Sequence, residues 1–126
     1  MSTVRNFKEL SVWQAGRELV VDVYRTCVKF PTAEKYGLAA QMQRAAVSIP
    51  SNIAEGFGRK SDKEFKQFLS IARGSVAELE TQLIIANDLS LIDVDDFARL
   101  EEKTTEVYKM INSFIRYLRE DDLKTD

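Results

Sequence analysis

The stretch QRAAVSIPSNIAEGFGR, residues 43–59, decides how the fold is interpreted. Its small and apolar residues favour a helix, yet Pro50 stands in the middle and Gly56 and Gly58 follow. A proline inside a helix removes one amide donor and clashes with the carbonyl four residues earlier, here that of Ala46. The stretch is therefore a broken helix, a kinked helix or a loop that binds a ligand.

The polar positions around Pro50 distinguish these alternatives. They recur every three or four residues, as on one face of a continuous helix: Gln41, Arg44, Ser48, Asn52, Glu55 and Arg59. Because this polar seam keeps its phase across the proline, we predict a helix kinked at Pro50. The hydroxyls of Ser48 and Ser51 are expected to satisfy the backbone groups that the proline frees.

Periodicity of three and four recurs in three further segments, and no segment alternates with the period of a strand. We predict helices at about 12–29, 34–58, 62–89 and 94–119. Pro31 ends the first, and Ser61 with Glu64 forms a capping box before the third, with the Glu64 carboxylate reaching back to the cap amide. The short links predict one domain, residues 1–126, that is an all-α, antiparallel up-down-up-down four-helix bundle. Residues 120–126 are expected to fray.

The third helix is expected to fold back along the polar seam of the second. Its segment ARGSVAELE, residues 72–80, then lies beside the seam. We predict a structural polar network or a subunit interface formed by Gln41, Arg44, Ser48, Asn52, Glu55, Arg73, Ser75 and Glu78. Arg44 with Glu78, and Arg73 with Asn52 or Glu55, are the expected pairs. Gly74 indicates a close helix approach. A ligand or phosphate site and a solvated face are the alternatives.

The composition argues against enzyme chemistry. The 126 residues include no histidine and one cysteine, Cys27. Histidine is the commonest general base and metal ligand, so we expect no catalytic residue, no cofactor and no metal. A carboxylate-only magnesium or calcium site is the one alternative, and Glu101, Glu102 and Glu106 are interpreted as a solvated face. No apolar signal core or membrane-length window occurs, so we expect a cytoplasmic protein with no membrane partner. Without enzyme chemistry, we also expect no small-molecule substrate.

The charge is distributed unevenly along the chain. Residues 1–73 carry 12 Lys/Arg and 7 Asp/Glu, net +5, whereas residues 74–126 carry 6 and 13, net −7. The basic half could face an anion and the acidic half another subunit, or both could be solvated. The candidate contacts with RNA or DNA are the cations of RKSDKEFK, residues 59–66: Arg59, Lys60, Lys63 and Lys66.

Three segments together resemble a known family. FKELSVWQAGRELVVDVYRTCVKFP, YGLAAQMQRAAVSIPSNIAEGFGR and FKQFLSIARGSVAELETQL are similar to bacterial four-helix-bundle proteins encoded in intervening sequences of large-subunit ribosomal RNA genes. The resemblance implies a ring-shaped homopentamer without enzymatic activity. That family is itself similar to the accessory protein of diversity-generating retroelements, a basic pentamer that works with a reverse transcriptase and RNA. This chain departs from that protein because it is acidic overall.

Two functional hypotheses follow. The first is a non-enzymatic, ring-forming oligomeric scaffold or adaptor with RNA or DNA as a candidate partner. The second is a protein–protein interaction ring without nucleic acid. A ring whose subunits associate head to tail requires two different complementary surfaces on each subunit.

Overall fold

The all-α prediction is confirmed. The computed structural model describes the backbone of residues 4–124 and the side chains of residues 4–119, and within that range it contains four α-helices and no strand. The helices are α1 (Ser11–Cys27), α2 (Leu38–Phe57), α3 (Asp62–Asp88) and α4 (Val94–Lys124). Short 3-10 turns precede α1 at Phe7–Glu9 and α2 at Thr32–Glu34.

Two helix boundaries differ from the prediction. The second helix begins at Leu38 rather than near residue 34, because Gly37 has φ −103° and ψ −115°, outside the helical region. The backbone of α4 stays helical to Lys124, although residues 120–126 were expected to fray. Residues 125–126 lie outside the described residues.

The predicted cap of α3 is half confirmed. The Ser61 hydroxyl accepts a hydrogen bond from the Glu64 amide at 3.2 Å. The same hydroxyl donates to the Glu64 carboxylate at 3.4 Å. Among the described residues the Ser61 amide forms no hydrogen bond with that carboxylate, so the predicted reciprocal contact is missing. A reciprocal capping box occurs instead at the first 3-10 turn, between Asn6 and Glu9.

Helix α2 passes through Pro50 without a break. A loop or a clean break at the proline is therefore excluded. The expected role of Ser48 was wrong, because its hydroxyl bonds Ser75 of α3 and the Asn52 amide group rather than the carbonyl of Ala46. The Asn52 amide group also donates to the Ser48 carbonyl at 2.8 Å.

The four helices surround a core of aliphatic side chains. Each helix packs on its neighbours in the chain, and α4 packs on α1. Among the described residues no Cα atom of α1 lies within 8 Å of α3, nor one of α2 within 8 Å of α4. Burying each Leu or Ile side chain contributes about 1.5–3 kcal/mol. The large side chains at the centre include Leu19, Met42, Ile49, Ile53, Leu69, Leu79, Leu83, Leu100 and Ile111.

The close helix approach lies at Gly56 rather than at Gly74. A Cβ atom added at Gly56 would meet Phe68 Cβ at 2.7 Å and Phe65 Cδ1 at 2.8 Å, so this glycine lets α2 and α3 come together. A Cβ atom at Gly74 would meet nothing within 4 Å. The prediction for Gly74 was wrong because this residue lies on the outward side of α3, and its neighbour Ser75 makes the interhelical contact.

Candidate functional site

Three of the predicted network residues meet between α2 and α3. The hydroxyls of Ser48 and Ser75 are 2.8 Å apart, and the Asn52 amide group donates to the Ser48 hydroxyl at 2.9 Å. Ser75 is buried, and Ser48 and Asn52 are half-buried. Partly buried hydroxyls that bond each other across two helices fix the register of those helices. We refer to Ser48, Asn52 and Ser75 as the polar cluster.

The predicted ion pairs do not form within the described structure. The Arg73 guanidinium donates to the side-chain oxygen Oδ1 of Asn112 at 2.8 Å, because Arg73 lies on the side of α3 that faces α4. Arg44 forms no ion pair with Glu78 among the described residues. The Glu78 carboxylate instead accepts from the Gln82 amide at 3.4 Å. Gln41 and Arg44 are exposed, so the N-terminal part of the polar seam faces solvent.

Glu55 is the last seam residue within α2. Its carboxylate pairs with the Arg59 guanidinium at 2.9 Å, and that guanidinium lies 4.8 Å from the centroid of the Phe68 ring. These two contacts hold Arg59 against the C-terminal end of α2 and the N-terminal part of α3. Lys60 and Lys63 are exposed, and Lys66 is half-buried. Arg59, which these contacts engage, and Lys60 lie in the turn between α2 and α3, and Lys63 and Lys66 lie in the first turns of α3.

Sequence reasoning missed Gln82. It lies seven residues beyond Ser75 on the same face of α3, and only 5% of it is exposed. Its side-chain oxygen is the one buried side-chain polar atom in the described structure that has no hydrogen-bond partner. The spacing from Ser75 could have revealed this residue, because positions seven apart share a helix face.

A charge network between α1 and α4 was also missed. Asp22 accepts two hydrogen bonds from Arg99, at 2.8 and 3.0 Å, and one from Lys103 at 2.7 Å. Asp96 accepts from Arg99 at 2.6 Å and from Lys29 at 3.0 Å. No local signal in the sequence reveals this network, since Asp22 and Arg99 are 77 positions apart. We refer to these five residues as the α1–α4 charge network.

The network lowers the pKa values of its two aspartates. The hydrogen bonds from Arg99 hold the pKa of Asp22 below its ordinary value of 3.8, although burial opposes this shift. Arg99 and then Lys29 likewise lower the pKa of Asp96. Both aspartates are therefore ionised near neutral pH, and the network joins the two helices as a structural element.

The described residues offer little for redox or metal chemistry. Burial raises the pKa of the Cys27 thiol to about 11, so this thiol is a poor nucleophile. The described residues contain no group of three or more His, Cys, Asp or Glu side chains that could hold a metal ion. Among residues 4–124, none of the helices combines the length and apolar composition that a membrane span requires.

Comparisons with known proteins place the fold in a family. The family model of the 23S rRNA-intervening sequence protein matches residues 8–113. The chain belongs to this family. Its matched region contains α1, α2, α3, the polar cluster and most of α4. The family resemblance inferred from the sequence is therefore confirmed.

A solved structure supports the assignment to the 23S rRNA-intervening sequence protein family. The chain is similar to a protein of unknown function from the S23 ribosomal protein family of Bacteroides thetaiotaomicron. The two are 25% identical, the match covers 83% of this chain and 95% of the other, and the TM-score is 0.75. A comparison with curated proteins gave no match.

Proposed function

We propose that the protein is a non-enzymatic scaffold or adaptor that assembles into a ring of identical subunits in the cytoplasm. The observation that carries this proposal is the presence of exposed apolar side chains on two different faces of the bundle. Two unlike faces suit head-to-tail association, and a head-to-tail assembly forms a closed ring when the rotation between subunits closes.

The first face is a groove between α1 and α2, which we call the α1–α2 groove. It is an open cavity of about 350 Å³ whose lining includes Val20, Val21, Val47, Pro50 and Ala54. Val21 and Val47 are 42% and 40% exposed. Valine side chains left in water at a concave surface favour a docked partner.

The second face lies on α3, which we call the α3 face. Ile71 is 52% exposed and Ile85 is 42% exposed, and both lie on the same side of the helix about four turns apart. Gly74 lies between them with open space above it, so another helix can approach closely. The α3 face and the α1 wall of the α1–α2 groove are on helices that do not pack against each other within the described structure, whereas α2, the other wall, packs on α3.

The fold also carries finer proposals. The contact of each helix with its chain neighbours supports alternating, up-down-up-down helix directions. The proline within α2 supports a kink at Pro50. Residual dipolar couplings of α2 would reveal this kink, and a straight axis through residues 46–54 would contradict it.

The ring proposal predicts the solution mass. Five copies, the number implied by the family resemblance, of a 14.4 kDa chain have a mass of about 72 kDa. Light scattering should therefore give a mass near this value, independent of protein concentration in the micromolar range. A concentration-independent mass equal to that of one chain would contradict the proposal.

RNA or DNA is the proposed partner of the ring. Lys60, in the turn between α2 and α3, and Lys63, in the first turn of α3, are exposed, and Arg59 and Lys66 flank them in the sequence. In a ring this turn recurs once per subunit and multiplies the positive charge along one rim. Contacts with phosphates release counterions, so binding should weaken steeply as salt rises.

Fluorescence anisotropy with a structured RNA at low and moderate salt tests this partner. We expect Lys60→Gln with Lys63→Gln to weaken binding and to reduce its salt dependence, because two phosphate contacts are lost. The matched control, Arg25→Gln with Lys35→Gln, removes two exposed cations elsewhere and should bind like the unaltered protein. Absence of binding at micromolar protein would favour the alternative, a ring that binds only proteins. A pull-down insensitive to nuclease would support that alternative.

A further inference from the structure

The outward face of α4 forms a second, larger groove that the proposed ring does not use. Together with the chain segment before α1, it bounds an open cavity of about 1270 Å³. Leu10 is buried beneath this cavity, and Met110 and Phe114 are partly buried hydrophobic residues packed on the core. Tyr117 is 43% exposed at one end. The cavity therefore has an apolar floor, and we call it the acidic groove because of the residues described next.

Carboxylates dominate the rim of the acidic groove. Five glutamates and one lysine line the cavity, so these groups carry a net charge of −4. Glu9 is engaged, since its carboxylate accepts from the amides of Arg5 and Asn6. The side-chain carboxylates of the other four form no ion pair or hydrogen bond among the described residues: Glu80, Glu101, Glu102 and Glu106. They differ in this from Glu55, which pairs with Arg59 just beyond the end of its helix.

The combination of an apolar floor and an acidic rim narrows the class of partner. Nucleic acid and anionic membrane surfaces carry the same sign of charge as the rim and are repelled by it. A small apolar ligand would cover the floor but make no use of the four carboxylates. A helix with one apolar face and one row of Lys or Arg matches both features, because its apolar side covers the floor and its cations reach the rim.

We propose that the acidic groove binds a cationic amphipathic helix of a partner protein. The α4 segment from Glu101 to Tyr117 is about 24 Å long, which matches about 16 residues of a docked helix. Glu101, Glu102 and Glu106, which were interpreted from the sequence as a solvated face, thus act as a recognition surface. This proposal does not depend on self-association or on nucleic-acid binding.

A designed peptide tests the proposal directly. The probe is a fluorescent 16-residue helix with a leucine face and a lysine face, and its control is a scrambled peptide of the same composition that has no apolar face. We expect the helix to bind the full-length protein in the micromolar range and the scrambled peptide to bind at least tenfold more weakly. Equal binding of the two peptides, or no binding of the helix, would overturn the proposal.

Charge variants identify the surface. Glu102→Gln with Glu106→Gln removes two exposed rim carboxylates and should weaken binding about fivefold. Glu18→Gln with Asp88→Asn removes two exposed carboxylates on α1 and α3 and should leave the affinity unchanged. Equal affinities of the two double variants would overturn the proposal even if the peptide binds.

A floor variant separates the apolar contribution from the charge. Met110→Lys places a cation in the floor and should reduce binding more than the two rim changes together. Circular dichroism tests whether the variant is folded. Glu106→Lys, at an exposed position, reverses one charge of the rim without altering the floor and should also reduce binding. Undiminished binding by Glu106→Lys would contradict the proposal. Light scattering on the same samples measures self-association independently of peptide binding. Failure of the ring proposal can therefore be distinguished from failure of the acidic-groove proposal.

Discussion

At the scale of single residues, two glycines in helices have opposite roles. Gly56 allows α2 and α3 to pack, since a Cβ atom there would lie 2.7 Å from Phe68 Cβ. We expect Gly56→Ala to destabilise the protein by about 1–3 kcal/mol, because the helix backbones or the Phe65 ring must move to admit the methyl group. Gly74→Ala, with open space around it, should instead stabilise the helix by up to about 1 kcal/mol.

Urea unfolding followed by circular dichroism measures both changes. Gly74→Ala is the matched control, because it makes the same chemical change in the neighbouring helix without a steric overlap. Equal stability of Gly56→Ala and the unaltered protein would show that the close contact at Phe68 does not limit packing.

The residue scale also shows where sequence reasoning succeeds and fails. Ser48, Asn52 and Ser75 could be predicted to meet, because periodicity places them on facing sides of adjacent helices. The partner of Arg73 could not, since a long side chain at the edge of a helix can turn toward either neighbour. Its choice of Asn112 depends on where α4 packs, which no local pattern encodes.

At the scale of helices, the α1–α4 charge network makes stability depend on pH. The folded state lowers the pKa of Asp22 below 3.8, so the folded protein binds this proton less readily than the unfolded chain. The stabilisation by this group is fully present above the unfolded pKa and is lost as pH falls through 3.8 toward the folded pKa. Asp96 acts in the same direction.

Asp22→Asn tests this contribution. We expect a loss of about 1–3 kcal/mol at pH 7, because Arg99 and Lys103 lose an anionic acceptor. The difference from the unaltered protein should narrow as pH falls below 3.8, where the native carboxyl group also becomes protonated. Glu18→Gln, which removes an exposed carboxylate of the same helix, should change stability by less than about 0.5 kcal/mol at pH 7. A difference for Asp22→Asn that stays constant from pH 7 to pH 2.5 would contradict the account.

Helix positions could be predicted well because apolar residues recur at helical spacing over long segments. The start of α2 was placed too early, since residues 34–37 contain no strong helix breaker except Gly37, whose backbone conformation is not encoded by spacing. The 3-10 turn at Phe7–Glu9 was missed because three residues carry no measurable period. The charge network was missed because its partners are far apart in the sequence.

At the scale of the whole molecule, the uneven charge along the chain corresponds to two separate surfaces. The acidic second half of the sequence supplies the glutamates on the outward face of α4. The basic first half supplies the exposed lysines of the turn between α2 and α3. The exposed apolar faces on α1, α2 and α3 could not be predicted. Periodicity alone does not tell which side chains at the edge of an apolar helix face remain exposed.

Head-to-tail association through two different faces is the central claim, and mixing two variants tests it most directly. Val47→Glu blocks the α1–α2 groove and Ile71→Glu blocks the α3 face, and both residues are at least 40% exposed, so folding should persist. Light scattering should give a monomer for each variant alone. Their mixture should give a dimer of about 29 kDa, twice the 14.4 kDa chain, because one intact groove still meets one intact α3 face. A mixture that remains monomeric, or single variants that keep the mass of the unaltered protein, would contradict the claim.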